Sequence, residues 1–210
     1  MTDTYRPQAI LLDLGNVVLD IDFSRVFSSW AAASGADATD LANRWSTDHA
    51  YDQHEVGAIS FVEYANAMGS QFGIELRADQ WLDGWNALFV GVYPQVCDLL
   101  PKIARHTPLF AFTNTNPTHQ AAWSERYREP LSAFLRIFVS SEMGLRKPDP
   151  HSFAFVCEEI GHAPDDVLFI DDSLVNVRGA LDAGLQAHHI TSEEDVVRLL
   201  ASFDGVASRR

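Results

Sequence analysis

The chain has 210 residues, is 47% hydrophobic and 11% aromatic, and carries a formal net charge of −14. That length suits one large domain or a core with a smaller insert, and the apolar content is enough for a packed core. The acidic balance disfavours a nucleic-acid partner, so an anionic ligand would need local positive charge from a metal, a lysine or helix N-termini.

Taken in chain order, the opening Met1 to Gln8 lacks the basic-then-apolar layout of a signal peptide. No apolar run reaches the roughly 20 residues that a membrane helix needs, so no membrane partner is expected. Ala9-Ile-Leu-Leu12 then reads as a buried strand, because strands covered on both faces lose their alternation, and it ends at Asp13. From 22 to 93 no convincing strand is visible. Phe23, Val26, Phe27 and Trp30 form one helical stripe, and Trp81, Trp85, Leu88 and Phe89 form another. Ser60 with Glu63 has the spacing of a capped helix start, followed by Val62, Ala65 and Met68. An all-helical insert is the simplest account of this stretch.

Beyond it, Pro94 to Arg105 places Val96, Leu99, Leu100 and Ile103 on one helical face, with Pro94 suited to a first turn. Leu109-Phe-Ala-Phe112 is a second buried strand and ends at Thr113. Ile137 to Val139 is a weaker one. Asp149-Pro150 fits an N-cap and a first-turn proline, and Gly161 fits the stop of that helix. Val167-Leu-Phe-Ile170 is the third strong strand and ends at Asp171-Asp172. A helix over Ser173 to Ala183, a weak strand over Ala187 to Ile190 and a helix over Thr191 to Phe203 complete the chain, the last with Thr191 and Glu194 spaced as a capping box. Only Gly205 to Arg210 reads as a loose tail. Cys97 and Cys157 have no metal-type spacing and read as small apolar residues, with a reducing cytoplasm as the expected location.

Strands alternating with helices predict an α/β fold with a mostly parallel sheet, in three layers, with residues 1–21 and 94–210 as the core and 22–93 as a helical cap. The carboxyl ends of parallel strands lie on one edge of the sheet, where ligands bind. Asp13, Thr113 and Asp171-Asp172 each end a strong strand, so residues more than 100 positions apart can converge there, with the Arg146-Lys147-Pro148 turn beside them.

These motifs carry a resemblance. Asp13-Leu-Gly-Asn-Val-Val18, Thr113-Asn114, Lys147 and Asp171-Asp172 resemble, in order and separation, the four motifs of the haloacid dehalogenase superfamily, and the likeness spans nearly the whole chain. It implies a Rossmann-like core, a cap between the first and second motifs, and a Mg²⁺-dependent phosphatase. Leu12 to Phe23, Gln53 to Ser60 and Thr113-Asn-Thr-Asn116 are similar to the bacterial alpha-D-glucose-1-phosphate phosphatase group. The resemblance assigns Asp13 as the nucleophile that forms an aspartyl-phosphate, and Asp13, the Gly15 carbonyl and Asp172 as metal ligands. Asp171 would orient a metal-bound water or Lys147. Lys147, the Thr113 hydroxyl and the Asn114 backbone N–H would hold phosphoryl oxygens.

One position departs from most phosphatases of the superfamily. They carry a second Asp two residues after the nucleophile, where this chain has Gly15. General acid–base help is worth roughly 10²–10⁴-fold, so either the leaving group is a comparatively good one, or His54, Glu55 or water takes over, or catalysis is weak. Trp45, His49, Gln53 and Trp85 are further cap-side candidates. The expected substrate is a small phosphomonoester such as a sugar phosphate, handled by a monomer or homodimer. Two alternatives stand beside it. One is a phospho-ligand-binding protein with little or no catalysis. The other is a metal-independent dehalogenase, which usually has Tyr at the Gly15 position and lacks the paired acid after the fourth strand.

Overall fold

The computed structural model describes residues 7–204. The tail at Gly205 to Arg210 and most of the opening segment lie outside the described residues. Five strands, β1 (Ala9–Leu12), β4 (Leu109–Thr113), β5 (Arg136–Val139), β6 (Val167–Asp171) and β7 (Gln186–His189), form one sheet in the order β5-β4-β1-β6-β7. Every neighbouring pair in it is parallel. Period-two alternation divides each central strand between two helical layers. Ile10, Leu12, Leu109 and Ile170 face α6 (Pro94–Ile103) and α12 (Glu193–Ala201). Ala9, Leu11, Phe112 and Phe169 face α10 (Pro150–Ile160) and α11 (Leu174–Asp182). The result is the expected three-layer α/β core.

The local signals explain most helix ends. Pro94 and Pro150 occupy first turns, Asp149 accepts a hydrogen bond from the His151 N–H, and Gly161 ends α10 in the left-handed region. The capping box at α12 is displaced by one residue. Ser192 is the N-cap and accepts from the Asp195 N–H, while the Thr191 N–H and hydroxyl both donate to Asp195 Oδ2. Thr191 and Glu194 therefore do not pair, because Asp195 holds both groups.

Five helices lie between residues 22 and 93: α1 (Ser24–Ser34), α2 (Ala38–Arg44), α3 (His49–Glu55), α4 (Phe61–Phe72) and α5 (Ala78–Asn86). Ser60 and Glu63 form the capping box of α4. The interior of this region is aromatic: Trp30 stacks on Trp85 with ring centroids 5.9 Å apart and meets Trp81 edge-on at 4.8 Å. One expectation fails here. The stretch is not wholly helical, because β3 (Phe89–Val92) pairs antiparallel with β2 (Leu19–Ile21), with a register shift between Asp20 and Ile21. Phe89 continues the helical stripe of Trp81 and Trp85 in sequence, so periodicity alone cannot reveal a strand created by a partner about 70 residues away. This two-stranded ribbon carries the chain out of the core and back into it. Among the described residues no helix is long and apolar enough to cross a membrane.

Candidate active site

Parallel pairing brings the polar strand ends together. Leu12 is in register with Ile170 and Ala111, and the Asp13 N–H donates to the Ile170 carbonyl at 2.9 Å. Asp13 therefore stands beside Asp171 at the carboxyl edge. Carboxylate oxygens of Asp13, Asp171 and Asp172 come within 4.8 Å of one another. Lys147, in the connection between β5 and α10, answers this charge. Its ammonium lies 2.9 Å from Asp13 Oδ1 and 2.7 Å from Asp171 Oδ2, fully buried between the rings of Phe112 and Phe169.

Burial pushes the Asp13 carboxyl up to about 7; Lys147 pulls against that rise, and Asp171 and Asp172 add to it. Burial alone would depress the Lys147 ammonium, but Asp13 and Asp171 outweigh it and hold that group above its ordinary value. Burial also raises the Asp172 carboxyl, against a hydrogen bond that it accepts from the Asn16 amide at 3.0 Å. Lys147 is thus one cation among three carboxylates, which leaves an excess of negative charge in the site.

The donor atoms fit a hard divalent cation such as Mg²⁺: they are all oxygens, and they carry more negative charge than Lys147 neutralises. The carboxylates are not equally free. Asp171 accepts from the Ser173 N–H at 2.7 Å, from the Asn176 amide at 3.1 and 3.2 Å, and from Lys147. Asp13 and Asp172 keep more open oxygen, and Gly15 lines the same cavity.

Thr113 and Asn114 line it too. The Asn114 side chain has a task that sequence reasoning missed. Its amide N–H donates to the Lys147 carbonyl, and its carbonyl accepts from the Lys147 N–H, both at 2.9 Å. This two-way clamp fixes the backbone that carries the ammonium. Asn16 and Asn176 were also missed. Asn16 is a non-glycine residue at φ 53°, a conformation that asparagine tolerates, and its place inside the first motif was the available signal. No pattern in the sequence points to Asn176.

The structure separates the two cap candidates for chemistry. Glu55 lines the cavity and pairs with Arg146, whose Nη2 lies 2.7 Å from Glu55 Oε2. Arg146 also pairs with Asp52, and the Ser140 hydroxyl donates to the Glu55 carbonyl at 2.6 Å, so the end of α3 is tied to the core. Burial raises the Glu55 carboxyl even against Arg146. His54, proposed from sequence beside it, does not line the cavity. It is buried and stacked on Tyr64 with centroids 4.9 Å apart, because α3 turns adjacent residues to different sides. Trp45, His49, Gln53 and Trp85 are likewise absent from the lining. Tyr51 and Phe23 contribute from the cap instead, and His119 and Trp123 from α7 (Pro117–Arg126).

Gly15 is explained by its neighbour. A Cβ at this position would stand 2.8 Å from Ile21 Cδ1. A side chain at position 15 would need the tip of Ile21, a flexible side chain, to shift. The cavity measures 150 Å³.

A family model described as haloacid dehalogenase-like hydrolase matches residues 7–184. The chain is 24% identical over 182 residues to a D-ribitol-5-phosphate phosphatase of Bacteroides thetaiotaomicron, across 84% of this chain and 88% of that one. It is 35% identical over 208 residues to the drimenol cyclase drtB of Aspergillus calidoustus, across 97% of this chain but only 38% of that protein. A crystal structure of a haloacid dehalogenase family enzyme from Bacteroides thetaiotaomicron, in complex with magnesium and inorganic phosphate, superposes with a TM-score of 0.80. That match has 26% identity over 92% of this chain and 98% of the other.

Proposed function

The chain belongs to the haloacid dehalogenase-like hydrolase family, and from that premise we propose that it is a Mg²⁺-dependent phosphomonoester hydrolase acting through an aspartyl-phosphate on Asp13. One observation carries this reading: Asp13, Asp171 and Asp172 cluster within 4.8 Å around the ammonium of Lys147. Three carboxylates against one lysine form a poor site for a metal-independent dehalogenase, since like charges at this distance repel. They form a good site for a cation, which would be held by Asp13, Asp172 and the Gly15 carbonyl. Bound there, Mg²⁺ supplies the positive charge that lets a carboxylate approach an anionic phosphate. The phosphatase names among the relatives and the magnesium and phosphate in the matched crystal structure support the same reading.

In the proposed reaction an Asp13 oxygen forms a bond to phosphorus as the bond from phosphorus to the leaving oxygen breaks. Lys147 keeps Asp13 oriented and offers its ammonium to the phosphoryl oxygens. The Thr113 hydroxyl and the Asn114 N–H hold two of those oxygens as preorganised donors. Asp171 does not meet the substrate; it anchors Lys147. Water then attacks the phosphorus of the aspartyl-phosphate, releasing inorganic phosphate and restoring Asp13. Glu55 lines the cavity from the cap side, with its carboxylate paired to Arg146. From resemblance alone the substrate would be a sugar phosphate.

A screen of phosphomonoesters, with Mg²⁺ and again with the metal chelated by EDTA, tests the proposal through release of inorganic phosphate. Turnover that needs the metal is expected. Phosphate-ester binding without any turnover would move the protein to the ligand-binding alternative.

A further inference from the structure

Two observations in the cavity bear on what leaves the phosphate. The first is that position 15 is a glycine, with no acid to protonate a leaving oxygen, and that Ile21 packs beside it. The second is the wall beyond it: Leu19, Ile21, Phe23, Leu88, Phe89 and Trp123, drawn from the ribbon, the start of the cap and α7. Three polar side chains of the lining are engaged, the Tyr51 hydroxyl with the Glu55 carboxylate. His119 has both ring nitrogens occupied, by the Asn116 amide at 3.1 Å and the Trp85 carbonyl at 3.0 Å. Glu55 is paired with Arg146. A sugar brings several hydroxyls, and each one buried without a partner is costly.

On the phosphatase reading above, we infer that the preferred substrates carry an apolar, planar leaving group, a phenolic oxygen on a ring, rather than a sugar. A phenoxide is stable enough to depart without a proton from the enzyme, which answers the missing acid. An aromatic ring also satisfies the apolar wall. The step balances: the bond from phosphorus to the ring oxygen breaks as the bond to Asp13 forms, and the phenoxide takes its proton from bulk water. A second water then breaks the Asp13–phosphorus bond.

The full-length chain with Mg²⁺ should hydrolyse phenyl phosphate with a kcat/KM about tenfold or more above that for α-D-glucose 1-phosphate. Phosphonates have no leaving group to expel, so they separate recognition from reactivity. Benzylphosphonate should inhibit about tenfold more tightly than 2,3-dihydroxypropylphosphonate. Phe23→Ser should narrow that ratio; Ile21→Thr, a gentler change, serves if the first variant does not fold. Preference for the glucose ester, equal inhibition by the two phosphonates, or a ratio indifferent to both variants would overturn the inference while leaving the phosphatase reading intact. No turnover of any ester and no inhibition would overturn the phosphatase reading itself, and this inference with it.

Discussion

The two ends of the active-site cavity are built by opposite rules. At the phosphate end, polar groups sit at the tips of β1, β4 and β6 and in the Lys147 turn, where the sheet fixes their positions to within one register. Each is held by further polar partners: Lys147 by Asp13, Asp171 and Asn114, and Asp172 by Asn16. Around the rest of the cavity the ribbon and cap supply apolar surface, placed by packing among aromatic rings such as Phe23, whose ring lies 5.1 Å from that of Trp45. Rigid hydrogen-bonded placement suits a reaction whose transition state is charged. Packed apolar surface suits the choice of what is attached to the phosphate, and it can change without disturbing the chemistry.

Substitutions at Asp13, Lys147 and Gly15, the last alone and with Ile21→Ala, would break or sharpen this contrast. Asp13→Asn should have the largest effect, a loss of turnover on the order of 10⁴-fold or more, with the circular dichroism spectrum unchanged. Retained turnover would remove Asp13 as the nucleophile, and the phosphate end would lose its centre.

Lys147→Met comes next. It leaves Asp13 and Asp171 buried without their shared cation and should destabilise the protein by about 3–5 kcal/mol in urea titrations. The sign of its pH dependence follows from Asp13. Burial already raises that carboxyl from 3.8 to about 7, and removing Lys147 removes the force that opposes the rise. Between these values the folded state binds more protons than the unfolded one, so the variant's stability should fall as pH rises from about 4 through 7 and above. The deficit relative to wild type should therefore be smaller at pH 5 than at pH 8. A deficit that does not vary with pH would mean that Lys147 contributes packing and not charge.

The smallest effect tests the boundary between the two ends. Gly15→Asp restores an acid but must displace Ile21, whose Cδ1 stands 2.8 Å from the new Cβ. Combined with Ile21→Ala it should raise kcat on an alkyl phosphate about tenfold above wild type, a modest part of what general acid catalysis can supply. The single substitution should gain less. Equal gains by the single and double variants would show that Ile21 yields freely and does not reserve that space.

Much of the phosphate end was legible in the sequence. Short apolar runs ending in Asp13, Thr113 and Asp171-Asp172 are what buried parallel strands delivering groups to one edge require. The helix starts at Pro94, Ser60 and Asp149 were equally plain, because capping depends on neighbouring residues. The cap side was poorly legible. His54 and Glu55 are adjacent in sequence and indistinguishable by composition, yet only Glu55 lines the cavity. The aromatic stripes announced a packed interior and gave no sign of which rings, Phe23 and Phe89 among them, would also line the cavity.

By itself the sequence determined the α/β class, the polar strand ends at Asp13, Thr113 and Asp171-Asp172 and the absence of an acid at Gly15, since each depends on local pattern or on residue type. Tertiary structure alone decided what stands where that acid would be. Ile21 reaches Gly15 because β2 pairs with β3 across the length of the cap, and such long-range pairing leaves no local trace. The same holds for the Asn114 clamp on Lys147, which joins residues 33 positions apart through hydrogen bonds that exist only once β4 has its neighbours.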